Sequence, residues 1–155
     1  MDHAGHTPTL SAPPSLARLA TLALRNGLSM GALATGSGSD FALVLAAAGC
    51  AFEEGEVLSE RAVNDRLKGF LEGAGAMLAV DHVELRRWLV DNGVLARDGF
   101  GRCYTRGTPR PEIAAPLREL AGHDLAALVT AERTRDAQRR AARKEAWERK
   151  AKDAA

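Results

Sequence analysis

Apolar residues recur at helical spacing soon after the start of the chain. Leu16, Leu19 and Ala20 fall on one face, which predicts a short amphipathic helix. Ser15 is placed to cap the start of this helix, and Gly27 is placed to end it. The first element of the fold is therefore expected to be a helix between these two residues.

The segments on either side of this helix lack a regular apolar pattern. Residues 1–14 are polar and rich in proline, which predicts a disordered tail. The segment "GALATGSGSD" has the glycine and serine content of a flexible linker. We therefore assign residues 15–38 to an N-terminal helix followed by a linker.

Two further helical patterns lie in the middle of the chain. Asp40 is placed as the N-cap of the first helix and Ser59 as the N-cap of the second. A short strand or extended entry at Val57-Leu58 precedes the second helix. The inward-facing residues are expected to be Phe41, Val44, Leu45 and Ala48 in the first helix, and Val63, Leu67, Phe70 and Leu71 in the second.

The stretch "VDHVELRRWLVDNGVL", residues 80–95, has the most complete set of helix signals. Asp81 is placed as the N-cap, and Glu84 three residues later gives an acidic variant of the capping box. Leu85, Trp88 and Leu89 mark the inward face. Gly93 fits the left-handed position that closes a helix.

A β-hairpin is expected directly after this helix. Two short β-prone runs flank "DGFG", residues 98–101, whose glycines can supply positive φ angles. The C-terminal residues, 107–155, are expected to be a helical extension. It would hold a short helix over 112–121, limited by Pro116, and then one long helix rich in alanine and charged residues.

The order helix, extended segment, helix, turn, capped helix and hairpin is that of a winged helix-turn-helix domain, although other short α+β domains can give the same order. We predict a mainly α fold with a small β-hairpin (α+β), an extra N-terminal helix and a long C-terminal helix. The winged-helix domain would cover residues 39–106. Helix 80–92 would be the recognition helix, which can enter the major groove, and hairpin 94–105 would be the wing.

The same region resembles a known family. The matching motifs are Ser59-Glu60 with Val63-Asn64, then Leu85-Arg86-Arg87, then Leu89-Val90-Asp91 with Gly93 and Leu95, and finally Arg97-Asp98 with Gly101 and Tyr104. Across residues 41–106 they resemble the bacterial family catalogued as domain of unknown function 2087. The resemblance implies a winged-helix-like fold and transcriptional regulation. Where that family usually carries a basic segment rich in proline and lysine, this chain has "ATGSGSD", with no basic residue.

Charge supports a nucleic-acid partner only weakly. The formal net charge is +1 and the isoelectric point is about 7.9, whereas many nucleic-acid binders lie above ~9. Residues 58–110 hold nine basic and seven acidic groups, and residues 132–155 hold nine basic and five acidic groups. The interleaved acids and a Glu145/Arg149 pair favour a solvated C-terminal helix or a dimerisation arm.

The candidate DNA-binding residues lie on the predicted recognition helix, on the helix before it and on the wing. They are His82, Arg86, Arg87, Arg61, Asn64, Lys68, Arg97, Arg102 and Arg106. The planar guanidinium of arginine suits phosphates and guanine edges. Arg87 points most directly away from the inward face, so it is the better base-reading candidate. Each of these residues also has an ordinary alternative, namely solvation or pairing within the protein, and Arg86 could bond the hairpin through Asp98.

The sequence contains no motif for catalysis, and we expect the protein not to be an enzyme. It has no phosphate-binding loop and no nucleophile elbow. Its four histidines are scattered, which is against a metal site, and no cofactor is expected. Cys50 and Cys103 are expected to be buried free thiols, since two cysteines are too few for a disulfide framework.

No apolar run approaches the ~18 residues of a membrane span, and the N-terminus lacks a secretory pattern. We therefore expect a cytoplasmic protein. The favoured function is a DNA-binding transcriptional regulator that contacts double-stranded DNA and forms a homodimer through its C-terminal helix. One alternative is a winged-helix module for protein–protein contact or assembly. Another is association with RNA or a ribonucleoprotein through the basic C-terminal helix.

Overall fold

The computed structural model describes residues 13–154, which form seven helices and a small three-stranded sheet. In chain order the elements are α1 (Pro14–Leu22), α2 (Met30–Gly36), α3 (Gly38–Gly49), β1 (Leu58–Ser59), α4 (Glu60–Glu72), α5 (His82–Asp91), β2 (Leu95–Arg97), β3 (Cys103–Arg106), α6 (Pro111–Leu120) and α7 (Leu125–Asp153). The predicted class, mainly α with a small β-hairpin, is confirmed. The winged helix-turn-helix interpretation stays a prediction.

Helix α3 lies at the centre of the core. Every residue from Asp40 to Gly49 is buried, so the prediction of a single inward face was incomplete. The small side chains of three successive alanines let neighbouring helices approach closely, and α6 packs along α3. At Gly49 an added Cβ would lie 2.8 Å from Val94 Cγ1, which is too close for a real contact. Glycine is therefore required by packing at the end of α3.

The start of α3 differs from the prediction. Its N-cap is Ser37, whose hydroxyl accepts a hydrogen bond from the Asp40 amide, so the assignment of Asp40 as N-cap was wrong. Asp40 lies instead in the first turn, buried, with two bonds of 2.8 Å from the Arg18 guanidinium. These bonds hold the pKa of the Asp40 carboxyl below its usual range. Asp40 thus joins α1 to α3.

The predicted Gly/Ser linker is wrong, because it contains helix α2. Ser29 caps α2 by accepting a hydrogen bond from the Ala32 amide, and the side chains of Met30 and Leu33 are buried in the core. Serine and glycine have turn and cap roles here rather than linker roles, since Ser29 and Ser37 each begin a helix. Burial of two apolar side chains fixes a segment that its composition alone presents as flexible.

Helix α1 also begins and ends differently from the prediction. It starts at Pro14 with Pro13 as N-cap, and proline is well tolerated at the first helical position. The Ser15 side chain does not cap the helix, because its hydroxyl donates to the Glu119 carboxylate of α6. The helix ends at Leu22, and Gly27, with φ of 69°, lies in the loop that follows. The predicted disordered tail, as far as residue 12, lies outside the described residues.

The caps of α4 and α5 are confirmed. The Ser59 hydroxyl accepts from the Ala62 amide, and the Asp81 carboxylate accepts from the Glu84 amide at 2.8 Å. Gly93, with φ of 75°, closes α5, and the Val94 amide bonds the Leu89 carbonyl at 2.9 Å, as in a Schellman motif. The Glu84 side chain accepts from the Trp88 indole rather than completing the capping box.

The hairpin is confirmed and is extended by a third strand. The strand order is β1-β3-β2 and both pairs are antiparallel. Leu58 pairs with Tyr104 on one side of β3, and Leu95 pairs with Arg106 on the other. Asp98 forms the turn by accepting hydrogen bonds from the Arg102 and Cys103 amides, which lower the pKa of its carboxyl. Strand β2 begins at Leu95, shortly after α5 ends at Asp91.

The two C-terminal helices differ in how much of their length packs against the core. Pro116 lies inside α6 and does not limit it, because α6 continues to Leu120. Leu125 and Val129 anchor the start of α7 in the core, while residues 137–154 are exposed throughout. Side chains from α1 to α7 belong to one hydrophobic cluster, and the domain boundaries drawn from the sequence stay a prediction.

Candidate nucleic-acid interface

Arg86 is turned inward from α5 towards α4. Its guanidinium bonds the Asn64 amide oxygen and lies 3.2 Å from the Glu60 carboxylate. It also lies 5.9 Å from the centre of the Tyr104 ring, and its side chain is only 16% exposed. The suggested bond from Arg86 to Asp98 is wrong, because Asp98 is occupied by backbone amides of its own turn. Arg86 therefore joins α5, α4 and the sheet.

Arg87 lies on the solvent side of α5. Leu85 and Leu89 are fully buried on the inner side, so the helix turns Arg87 outward. Within residues 13–154 no carboxylate lies within ion-pair distance of its guanidinium. His82, in the first turn of the same helix, is half-buried. Arg87 is thus available to a partner, and Arg86 is not.

The three candidates on α4 divide in the same way. Asn64 is occupied by its hydrogen bond with Arg86, so its polar group has a structural role. Arg61 and Lys68 are exposed and make no ion pair in the part of the chain that the structure describes. Two of the three predicted residues therefore present free positive charge.

On the hairpin, Arg97 and Arg102 are exposed, whereas Arg106 is directed elsewhere. The Arg106 guanidinium donates to the Phe52 carbonyl at 3.3 Å, beyond the end of α3. The Arg97 guanidinium lies over Gly101, where an added Cβ would be 3.3 Å from its Nε. The hairpin thus carries two available arginines, close to its turn.

Phe100 was not among the residues selected from the sequence. It lies at the tip of the hairpin, between Arg97 and Arg102, and is 86% exposed. An exposed phenylalanine does not contribute to the core. The sequence signal that could have identified Phe100 as an exposed residue was its position between two glycines in the hairpin turn. The hairpin tip therefore combines an apolar ring with positive charge.

Acidic residues lie close to these arginines. Glu84 and Asp91 are on α5 itself, and Asp81 caps the helix. Together with Arg86 and Arg87 they leave α5 with no net positive charge. Any attraction to phosphates must therefore come from the combination of α5 with the exposed cations of α4 and the hairpin.

A second group of polar residues was not anticipated by the sequence. Cys50, His123 and Asp124 line one open pocket of about 240 Å³. Burial raises the pKa of the Cys50 thiol, which makes it a poor nucleophile near neutral pH. Among residues 13–154 no three His, Cys, Asp or Glu side chains are grouped as a metal ion requires. Both cysteines are free, and both are half-buried rather than buried as expected.

The described residues form a mainly helical domain in which two successive helices, α4 and α5, are followed by the hairpin of a small antiparallel sheet. Residues 37–106 match the family described as an uncharacterized protein conserved in bacteria (DUF2087), which supports the resemblance seen in the sequence. The match begins at the N-cap of α3 and ends with the last residue of β3. No curated protein and no solved structure matches the chain. None of the helices between Pro14 and Asp153 is long and apolar enough to cross a membrane.

Proposed function

We propose that this protein is a transcriptional regulator that binds double-stranded DNA through α5 and the β2–β3 hairpin. The arrangement of α4, α5 and the sheet supports a winged helix-turn-helix. In such domains the second helix enters the major groove and the wing contacts the sugar-phosphate backbone. The function requires no catalytic group, no cofactor and no metal, and we propose that the protein is not an enzyme.

The observation that carries this proposal is that the adjacent residues Arg86 and Arg87 differ in environment, one bonded within the protein and the other exposed. Arg86 is fixed by Asn64 and Glu60, so it holds α5 at a defined angle to α4. Arg87 projects from the outer face of the same helix without an ion pair within residues 13–154. A rigidly mounted helix with an unpaired guanidinium on its outer face is suited to reading a guanine edge or holding a phosphate.

Further exposed cations can serve as backbone contacts. Arg61 and Lys68 are exposed on α4, the helix that packs against α5, and Arg97 and Arg102 are exposed on the hairpin. Contacts of this kind supply affinity and register rather than sequence specificity. At the hairpin tip Phe100 is exposed between the two arginines, and it can contact sugar or base edges where the wing meets a groove.

The test is fluorescence anisotropy on labelled genomic duplex fragments over a salt series. We expect binding that weakens steeply as salt rises, because phosphate contacts release counterions. Arg87→Glu should weaken binding by about tenfold or more. Arg118→Glu, the same change of charge at an exposed position on α6, is the matched control and should stay within about twofold. Failure of every fragment to bind at low salt would end the proposal.

A second candidate is a module for protein–protein contact. The balance of charge on α5 and the exposed ring of Phe100 favour it, because protein interfaces combine apolar centres with balanced charge. A single stoichiometric protein partner that is lost with Arg87→Glu, together with no duplex binding, would replace the first proposal by this one.

We also propose, as a separate expectation, a homodimer through α7, which sedimentation of the free protein would test.

A further inference from the structure

The outer half of α7 differs from the rest of the chain in how its charges are arranged. Residues 137–154 are exposed along their whole length. Ala137 and Arg140 still line a pocket with the segment that follows α1, and beyond Arg140 the described residues form no hydrogen bond or ion pair with another element. Trp147 is 72% exposed in the middle of this segment, where an indole has no core to fill. Because the Trp147 side chain does not stabilise the fold, we ask whether it contacts a partner molecule.

The inner part of α7 satisfies its charges internally. Glu132 pairs with Arg135 at 2.6 Å and with Arg139 at 3.3 Å. Asp136 pairs with Arg140 at 3.0 Å. The carboxylates of this part of the helix are therefore used to neutralise its own arginines.

Beyond Arg140 this pairing stops. The expected Glu145/Arg149 ion pair is absent, and in residues 141–154 no ion pair is formed. Arg143, Lys144 and Lys150 are therefore exposed cations that form no ion pair within the described residues.

These three cations surround the tryptophan. At ~100° per residue, positions four and three before Trp147 and three after it lie on the same face of the helix. Arg143, Lys144 and Lys150 occupy those positions. Glu145 and Glu148 share a shallow groove with Arg149 and Lys152. Glu148, four residues after Lys144, and Asp153, three residues after Lys150, lie at the edges of the Trp147 face and form no ion pair with these lysines. The helix thus has one face on which three cations lie within one turn of an exposed tryptophan, with carboxylates only at its edges.

We infer that this face of α7 binds single-stranded nucleic acid. Phosphates would pair with Arg143, Lys144 and Lys150, and an unpaired base would stack on the Trp147 indole. Exposed aromatic rings beside a positive surface are the usual basis of single-strand binding without strict sequence preference. The cations span about 10 Å at the rise of an α-helix, which is roughly three nucleotides. A duplex fits less well, because its bases are already stacked and cannot cover the indole.

This inference does not rest on the duplex contact proposed for α5. The two differ in ligand, in residues and in element, so each can fail alone. Arg87→Glu is expected to leave single-strand binding by α7 within twofold of the unmodified protein.

The test uses the full chain with Trp88→Phe, so that Trp147 is the single tryptophan and reports directly. The probe is a short labelled oligothymidylate, followed by tryptophan fluorescence and by anisotropy. We expect quenching of Trp147 on binding and a salt slope of about −2, since each of three phosphates contributes about −0.7. Trp147→Ala should weaken binding at least about fivefold. Anisotropy on the chain with both tryptophans intact checks that Trp88→Phe has not altered the fold.

The decisive control compares two double substitutions with the same change of charge. Arg143→Glu with Lys144→Glu should abolish binding, whereas Arg149→Glu with Lys152→Glu, on the far side of the helix, should reduce it only a few-fold. Equal losses in both would overturn the inference, because binding would then follow total charge. Equal quenching by polyglutamate, or binding to phosphatidylserine vesicles without binding to the oligonucleotide, would also overturn it. The homodimer proposed above is compatible with this inference if it leaves Trp147 exposed, whereas an α7-mediated dimer that buries Trp147 in the free protein would overturn it.

Discussion

Helices α3 and α7 are both rich in alanine, yet they occupy opposite environments. Residues 40–49 of α3 are buried without exception, and its one charged group, Asp40, is paired with Arg18. Residues 137–154 of α7 are exposed without exception, and several of their charges are unpaired. Alanine favours the helix in both cases. The residues between the alanines decide whether the helix stabilises the fold or remains free for a partner.

The largest effect is expected in the centre of α3. Leu45→Ala removes a fully buried side chain, so the free energy of unfolding should fall by about 2 to 5 kcal/mol. Urea denaturation followed by circular dichroism measures this loss. A change below about 1 kcal/mol would show that α3 is not the centre of the core.

The ion pair at the start of α3 should make stability depend on pH. Arg18 lowers the pKa of the Asp40 carboxyl, so the native state favours the ionised form. The stabilisation is therefore complete above the ordinary carboxyl pKa of about 3.9 and is lost as pH falls through the lower native value.

Asp40→Asn should accordingly lower the free energy of unfolding at neutral pH by about 1 to 2 kcal/mol, since it removes a charge-assisted bond to a half-exposed arginine. The difference between the two proteins should shrink as pH falls below about 4. Urea titrations across that range measure it, and a difference that grows towards low pH would contradict the assignment.

In helix α5 the same contrast, between a side chain bonded within the fold and an exposed one, is found in two adjacent residues, Arg86 and Arg87. Arg86→Ala removes the bond to Asn64, the contact with Tyr104 and an ion pair with half-exposed Glu60. We expect a loss of about 1 to 2 kcal/mol. Arg87→Ala, the matched control, should change stability by less than about 0.5 kcal/mol, because its side chain is exposed. Equal effects from the two substitutions would contradict the assignment of a structural role to Arg86 and of an exposed, non-structural position to Arg87.

Features set by short-range chemistry were predictable from the sequence. Ser59 and Asp81 cap helices because each bonds an amide three residues ahead, and Gly93 ends α5 because it adopts a positive φ. The outward direction of Arg87 followed from the helical period of Leu85 and Leu89. Each of these signals is contained within one or two turns of helix.

Features set by distant packing were not predictable. Helix α2 exists because Met30 and Leu33 are buried against the core, and nothing in the local glycine and serine content indicates this. The partners of Arg86 lie on α4, more than twenty residues away in the chain, and depend on how α4 and α5 pack. Phe100 was overlooked because a turn residue gives no periodic signal.

The smallest effect on stability is expected from deletion of residues 141–155. Up to Arg140, α7 lies along α1, and the Arg133 guanidinium donates to the Ala23 carbonyl at 2.8 Å. The described residues after that point are exposed and form no hydrogen bond or ion pair with the rest of the fold, so the free energy of unfolding should change by less than about 0.5 kcal/mol. Leu125→Ala, in the anchored start of the same helix, should cost about 2 kcal/mol under the same conditions. A deletion as costly as Leu125→Ala would mean that the outer half of α7 is part of the folded body or of a dimer. Dependence of the loss on protein concentration would identify the dimer.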